Sequence, residues 1–160
     1  MSTGDEPRLP AGCVLRAARA TDMPAIRALV RGARLDPTQL RYRQFRVIEC
    51  AGQIVACGQL RRFAGARELG SLVVRPEWRG RHLGALLILH LIQAADAPLY
   101  LECRGELAAF YRRYGFVPVH WRDLPRSLQP KFGVSRLLST LFRQPTAMMR
   151  YRGHPPDQAP

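Results

Sequence analysis

The segment Val73-Val74-Arg75-Pro76-Glu77-Trp78-Arg79-Gly80-Arg81-His82-Leu83-Gly84 carries the pattern with the clearest chemistry. It reads as a strand, a tight turn and the start of an apolar helix. The first N–H groups of a helix have no intrahelical partner and point outward, and the helix dipole adds partial positive charge at that end. Such an end binds anions. Gly80 and Gly84 allow close backbone approach to a pyrophosphate. Arg79 and Arg81 add forked, charge-assisted donors. Two other phosphate cradles are excluded by spacing. The G-x4-G-K-[ST] pattern is absent, and the turn lacks G-x-G-x-x-G and follows a meander instead of opening a βαβ unit.

Other reactive residue types carry less. The four cysteines, Cys13, Cys50, Cys57 and Cys103, form no C-x2-C pair, and the four histidines are scattered, so no metal site is indicated. The expectation is four reduced thiols packed as small hydrophobes, which fits a reducing, cytoplasmic setting. Cys103 has no histidine near it in sequence to activate an acyl-cysteine route. His90 lies in a leucine-rich ridge that reads as core. Trp78 reads as packing for the turn.

The elements that must position these residues follow from periodicity and turn chemistry. Residues 14–18 read as a first strand. Thr21 and Asp22 offer N-cap oxygens to a helix with Ile26, Leu29 and Val30 at helical spacing. Pro37 to Arg43 reads as a second, shorter helix. Strands follow over Phe45–Cys50, Gln53–Arg62 and Arg67–Val74, joined by Ala51-Gly52 and Ala64-Gly65-Ala66. Ile54, Ala56 and Gly58 are expected on one strand face, and Glu68, Gly70, Leu72 and Val74 on one face of the next. Pro76–Arg81 reads as an irregular loop and Leu83–Ala95 as an apolar helix. Pro98–Cys103 reads as a strand returning parallel after that helix. Glu106–Tyr114 is a short helix closed by Gly115. Phe116–His120 is a strand, the segment from Asp123 to Pro130 a loop, Ser135–Phe142 a helix and Thr146–Tyr151 a last strand. The fold class is α/β (α+β), a mixed sheet with helices on both faces. Residues 12–152 form one domain, with flexible ends at 1–11 and 153–160.

Composition bounds the partners. The chain has 160 residues and a net charge of +13, from 24 Arg and the single Lys131 against 12 acidic residues. From Arg104 to Arg152 ten basic residues face only Glu106 and Asp123. That balance favours anionic partners, whether phosphates or nucleic acid. No apolar run reaches the roughly 20 residues a bilayer span needs, and residues 1–9 hold no signal-peptide core.

Arg79-Gly80-Arg81-His82-Leu83-Gly84 resembles the [QR]-x-x-G-x-[GA] signature of GNAT acyltransferases. Phe110-Tyr111-Arg112-Arg113-Tyr114-Gly115-Phe116 resembles their F-Y-x-x-x-G-F segment, in the family's order and about 30 residues downstream. The resemblance covers about residues 13 to 151 and is closest to compact bacterial members. His82 departs from the glycine preferred at its position and must adopt that position's backbone angles or shift the loop. Arg104 stands where many members have asparagine.

What the resemblance implies is a mostly antiparallel sheet of six to seven strands with a central, splayed parallel pair. The co-substrate is acetyl-CoA, held by Leu72, Val73, Val74, Arg79, Gly80, Arg81, His82, Leu83, Gly84, Ala85 and Tyr111, with no metal. An acceptor amine attacks the thioester directly, and a backbone N–H near Val74 stabilises the oxyanion. Tyr111 is implied as the acid that protonates the leaving thiolate, since a phenol stays protonated at neutral pH. Glu68 is implied as the base, with water, Glu102 and His120 as alternatives. The acceptor is a primary amine of a small molecule or peptide, and an arginine-rich rim suits one carrying its own carboxylate or phosphate. A membrane is not implied, nucleic acid is not favoured, and the protein is a monomer or homodimer. The alternative is a non-catalytic module that binds CoA, nucleic acid or an acidic partner.

Overall fold

The computed structural model describes residues 7–141, 143 and 145–153. Seven strands form one sheet in the order β1-β2-β3-β4-β5-β7-β6. They are β1 (Cys13–Ala17), β2 (Phe45–Cys50), β3 (Gln53–Phe63), β4 (Ala66–Val74), β5 (Leu99–Arg104), β6 (Phe116–Pro118) and β7 (Thr146–Tyr151). Among the described residues, four helices accompany them: α1 (Met23–Gly32), α2 (Leu83–Ala94), α3 (Ala108–Arg112) and α4 (Gln129–Leu141). The β4–β5 pair is parallel, while the β1–β2, β2–β3, β5–β7 and β6–β7 pairs are antiparallel. The expected mixed, mostly antiparallel sheet of six to seven strands with one parallel pair is therefore present, with seven strands.

The chain divides into two compact units, residues 1–60 with 70–94 and residues 61–69 with 95–160. In the first, helices cover both sheet faces. Ile26 and Val30 of α1 pack with Phe45, Val47, Cys57 and Val73. Leu83 and Leu87 of α2 pack with Ile48, Cys50, Val55 and Ala56. A bulge explains the division. Ile48 pairs with Ala56 but Glu49 pairs with Ile54, so Val55 is an extra residue. Ile54 is thereby turned to the α1 face, away from Ala56, which corrects the expectation that Ile54, Ala56 and Gly58 share one side. Ser71 has φ 48°, so strict alternation along β4 also fails between Glu68 and Val74.

Cys13 and Cys50 face each other across the β1–β2 register and form a disulfide. This corrects the expectation of four reduced thiols, because direct cross-strand pairing brings together two residues whose sequence separation is 37. Cys57 and Cys103 are free and buried.

The short helix expected over Pro37–Arg43 is absent. The Asp36 carboxylate accepts from the Thr38 N–H at 2.8 Å and from its hydroxyl at 2.6 Å, and Gln39 adopts φ 58°. Such local side-chain bonds compete with a helix. Only a 3-10 turn at Tyr42–Gln44 follows.

In the second unit, Leu128 and Phe132 pack on Ala66 and Tyr100 in a separate core. Helix α4 begins six residues earlier than expected, at Gln129. Pro130 lies in its first turn, where a missing N–H costs no helical hydrogen bond. Gly133 sits against Trp121, whose ring would lie 2.9 Å from an added Cβ. Phe142, the expected end of that helix, lies outside the described residues, as do 1–6 and 154–160 of the expected flexible ends. Among the described residues, no helix is long and apolar enough to cross a membrane.

Candidate active site

In the first unit, β4 delivers Leu72, Val73 and Val74 to a turn that ends in α2. Pro76–Trp78 makes one 3-10 turn, and Arg79, Gly80, Arg81 and His82 then run exposed into the helix. Gly80 has φ 75° and His82 has φ 58°, both in the left-handed region. His82 therefore takes the glycine-like backbone that its position demands, as a histidine can at modest cost. Its carbonyl accepts from the Leu86 N–H at 3.1 Å, the first bond of α2. The N–H groups of Leu83, Gly84 and Ala85 precede that bond and have no carbonyl one turn back within the helix. The side chains of Leu83 and Ala85 are buried, which anchors the helix start and leaves its backbone as the donor surface.

Two further contacts stiffen the turn. The Arg81 guanidinium lies 4.6 Å from the Trp78 ring centroid, a cation–π contact that holds its charge over the turn. Trp78 packs partly buried against the α2-side core. Arg75 donates through Nε to the Ile54 carbonyl at 3.1 Å, tying the end of β4 to β3.

The second unit holds the titratable groups. Glu68 is buried and ion-paired on two sides. Arg61 Nη1 donates to its Oε1 at 3.1 Å, and Lys131 Nζ from α4 donates to both carboxylate oxygens. Two cations thus make three contacts with the Glu68 carboxylate. Glu68 pairs with Tyr100 in the parallel register, and Glu102 stands two residues further along β5, on Tyr100's side of the strand. Hydrogen bonds from Ser135 and Thr146 reach the Glu102 carboxyl group. Its Oε1, however, is buried with no hydrogen-bond partner among the described residues. Burial raises the Glu102 carboxyl above its ordinary value, and the neighbouring Glu68 charge adds to this.

Cys103 and Tyr111 lie on the other face of β5. Tyr111 is buried among Phe110 and Phe116, with ring centroids 5.3 Å and 5.9 Å away. Burial raises its phenol above the ordinary value, so it is neutral at physiological pH. Gly115 closes α3 at φ 86°, and an added Cβ would meet the Gly153 carbonyl oxygen at 2.5 Å. Burial pushes the Cys103 thiol up to about 11, which keeps it a thiol and removes the basis for an acyl-cysteine route.

Two further histidines among the described residues have local partners. His90 accepts from Arg46 Nε at 3.2 Å, and His120 Nδ1 accepts from the Arg122 N–H at 3.3 Å. Among the described residues no cluster of His, Cys, Asp or Glu could hold a metal ion. Lys131, Arg61, Ser135 and Thr146 escaped sequence reasoning. One signal was present: Lys131 is the single lysine among 24 arginines, and Ser135 lies one helical turn beyond it.

Residues 41–118, spanning the turn and the Tyr111 segment, match the family model for an acetyltransferase (GNAT) domain. That match covers 78 of the 160 residues. Comparison with curated proteins returns no match. Among solved structures, this chain is similar to N-acetylglutamate synthase from Neisseria gonorrhoeae in complex with coenzyme A and L-arginine. The identity is 22%, the TM-score 0.73, and the match covers 91% of this chain and 34% of that one. The chain thus spans about a third of that enzyme's length. A Mycobacterium tuberculosis protein in complex with CoA and NLQ is 21% identical with TM-score 0.70, covering 86% and 98% of the two chains. An acyl-CoA N-acyltransferase from Pseudomonas aeruginosa is 20% identical with TM-score 0.62, covering 88% and 98%. At these identities the likeness is one of fold.

Proposed function

We propose that this chain is a GNAT-type, acyl-CoA-dependent N-acyltransferase that moves an acetyl group from acetyl-CoA to a primary amine. The observation that carries the reading is the exposed turn Arg79–His82, with two left-handed residues, opening a helix whose start is anchored by buried Leu83 and whose first N–H groups have no carbonyl one turn back. Such a helix start favours an anion such as the CoA pyrophosphate. Leu72, Val73 and Val74 then offer strand backbone to pantetheine, and Arg79, Gly80, Arg81, His82, Leu83, Gly84 and Ala85 hold the diphosphate.

Direct attack of the amine forms the tetrahedral intermediate, and collapse expels the CoA thiolate. Tyr111 gives that thiolate its proton, since its phenol is held neutral by burial. Residues 12–152 act as one domain in this reading. The acceptor is a small molecule with its own carboxylate, such as an amino acid. The excess of arginine supports this, and so do neighbours crystallised with L-arginine and with N-acetyl-glutamate.

The test is release of free CoA thiol from acetyl-CoA with a panel of amino acids and uncharged amines. Tyr111→Phe is expected to lower kcat by about 100-fold while CoA still binds. Full activity in that variant would remove Tyr111 from the mechanism, and equal rates for anionic and uncharged amines would remove the acceptor preference.

A further inference from the structure

The acyltransferase reading leaves one proton unassigned, the one an ammonium acceptor must lose before it can attack. We propose that Glu102 takes that proton, and that Glu68 and Lys131 form a fixed ion pair that positions it. The proposal rests on the acyltransferase reading for its substrate but on this cluster for its chemistry.

The two carboxylates differ in what their oxygens already do. Both oxygens of Glu68 accept from Lys131, and Arg61 donates to one of them as well. Glu68 is thus engaged from β3 and from α4 at once. Glu102 accepts hydrogen bonds from Ser135 and Thr146, yet its Oε1 is buried and receives none among the described residues. A buried carboxylate oxygen without a donor is costly, and in native proteins such an atom marks a bound water or ion, stored strain or a catalytic role. The chemistry that fits a lone buried carboxylate oxygen is a primary ammonium group. It would donate to Oε1 first and then transfer that proton to it, leaving a neutral amine free to attack the thioester carbonyl. Glu102 would be left as the neutral acid, and its proton would pass to water after product leaves.

The surroundings tune Glu102 for this. Burial and the Glu68 charge raise its carboxyl, while the Ser135 and Thr146 hydrogen bonds and the Lys131 charge restrain the rise. Cys103, its chain neighbour, stays a thiol and adds no charge. Because Lys131 is clamped by Glu68, its charge is held at a fixed place beside Glu102. Lys131 is therefore a positioning residue, acting through the two carboxylates.

Three measurements on the full chain test this. Carbon-13 NMR of glutamate-labelled protein follows each carboxyl against pH. One signal should titrate above the ordinary carboxylate range and vanish in Glu102→Gln; if Glu102 titrates in the ordinary range, the proposal fails, whatever the acceptor is. With acetyl-CoA and any amine from the panel that reacts, Glu102→Gln should lower kcat/KM by about 100-fold or more and abolish the acid limb of its pH profile. Glu102→Asp should restore part of the rate and keep the limb, and serves if the Gln variant folds poorly. Lys131→Met should shift the limb to higher pH without abolishing it. Wild-type kcat/KM with an intact acid limb in Glu102→Gln would overturn the assignment. Calorimetric CoA uptake by the same variant separates the two readings: unchanged binding with lost transfer supports Glu102 as base, whereas a wild type that binds no CoA defeats the acyltransferase reading instead.

Discussion

His82 is where a single residue bears most on donor binding. Its φ of 58° puts an ordinary side chain in a region that favours glycine. A non-glycine residue there costs roughly 1–2 kcal/mol, less for residues such as His and Asn and more for β-branched ones. The turn nevertheless keeps the geometry that leaves the Leu83–Ala85 amides facing outward. His82→Gly is therefore expected to bind CoA as the wild type does. His82→Val should weaken CoA binding at least tenfold and lower unfolding stability by about 1 kcal/mol. Calorimetry and urea denaturation check both. Equal CoA affinity in the valine variant would show that backbone angles at this position do not matter.

At the scale of elements, two contacts decide whether the pieces hold. Gly115 ends α3 with φ 86°, and its Cα lies against the Gly153 carbonyl at the end of β7. Gly115→Ala adds a methyl group that meets that carbonyl oxygen at 2.5 Å, in a backbone conformation alanine dislikes. A loss of about 1–3 kcal/mol in urea unfolding is expected, and an unchanged midpoint would contradict the packing. The second contact is the Cys13–Cys50 bridge between β1 and β2. Protein denatured without reductant should show two reactive thiols, from Cys57 and Cys103, and four after reduction. Four thiols without reductant would refute the bridge. Reduction should cost about 2–4 kcal/mol.

Most elements could be read from the sequence, because apolar periodicity and turn residues act locally. Phe45–Cys50 and Thr146–Tyr151 coincide with β2 and β7. What escaped depends on contacts distant in sequence. The β2–β3 bulge needs a partner strand to be visible, and so does the Cys13–Cys50 pairing. The α4 start was hidden because Pro130 looked like a breaker, though a first-turn proline is neutral. The anion-binding turn was legible because it is one continuous segment. The Glu68 and Glu102 surroundings were not, since Lys131 and Ser135 arrive from a helix about 30 to 60 residues later in the chain.

At the scale of the whole molecule, charge governs how the donor is reached. A net charge of +13 draws a polyanion toward the protein, and added salt screens that attraction. The Debye length falls from about 10 Å at 0.1 M to about 3 Å at 1 M, so CoA affinity should drop several-fold across that range. Part of the affinity should survive, because the helix-start amides grip the diphosphate at hydrogen-bond distance and are screened less. Calorimetric titration of CoA into the full chain, at low and high salt, is the measurement on which the account turns. It predicts saturable one-to-one uptake below about 1 mM, weakened several-fold by salt and abolished in Gly80→Val. No heat of binding at millimolar CoA, or uptake that Gly80→Val leaves intact, would contradict it.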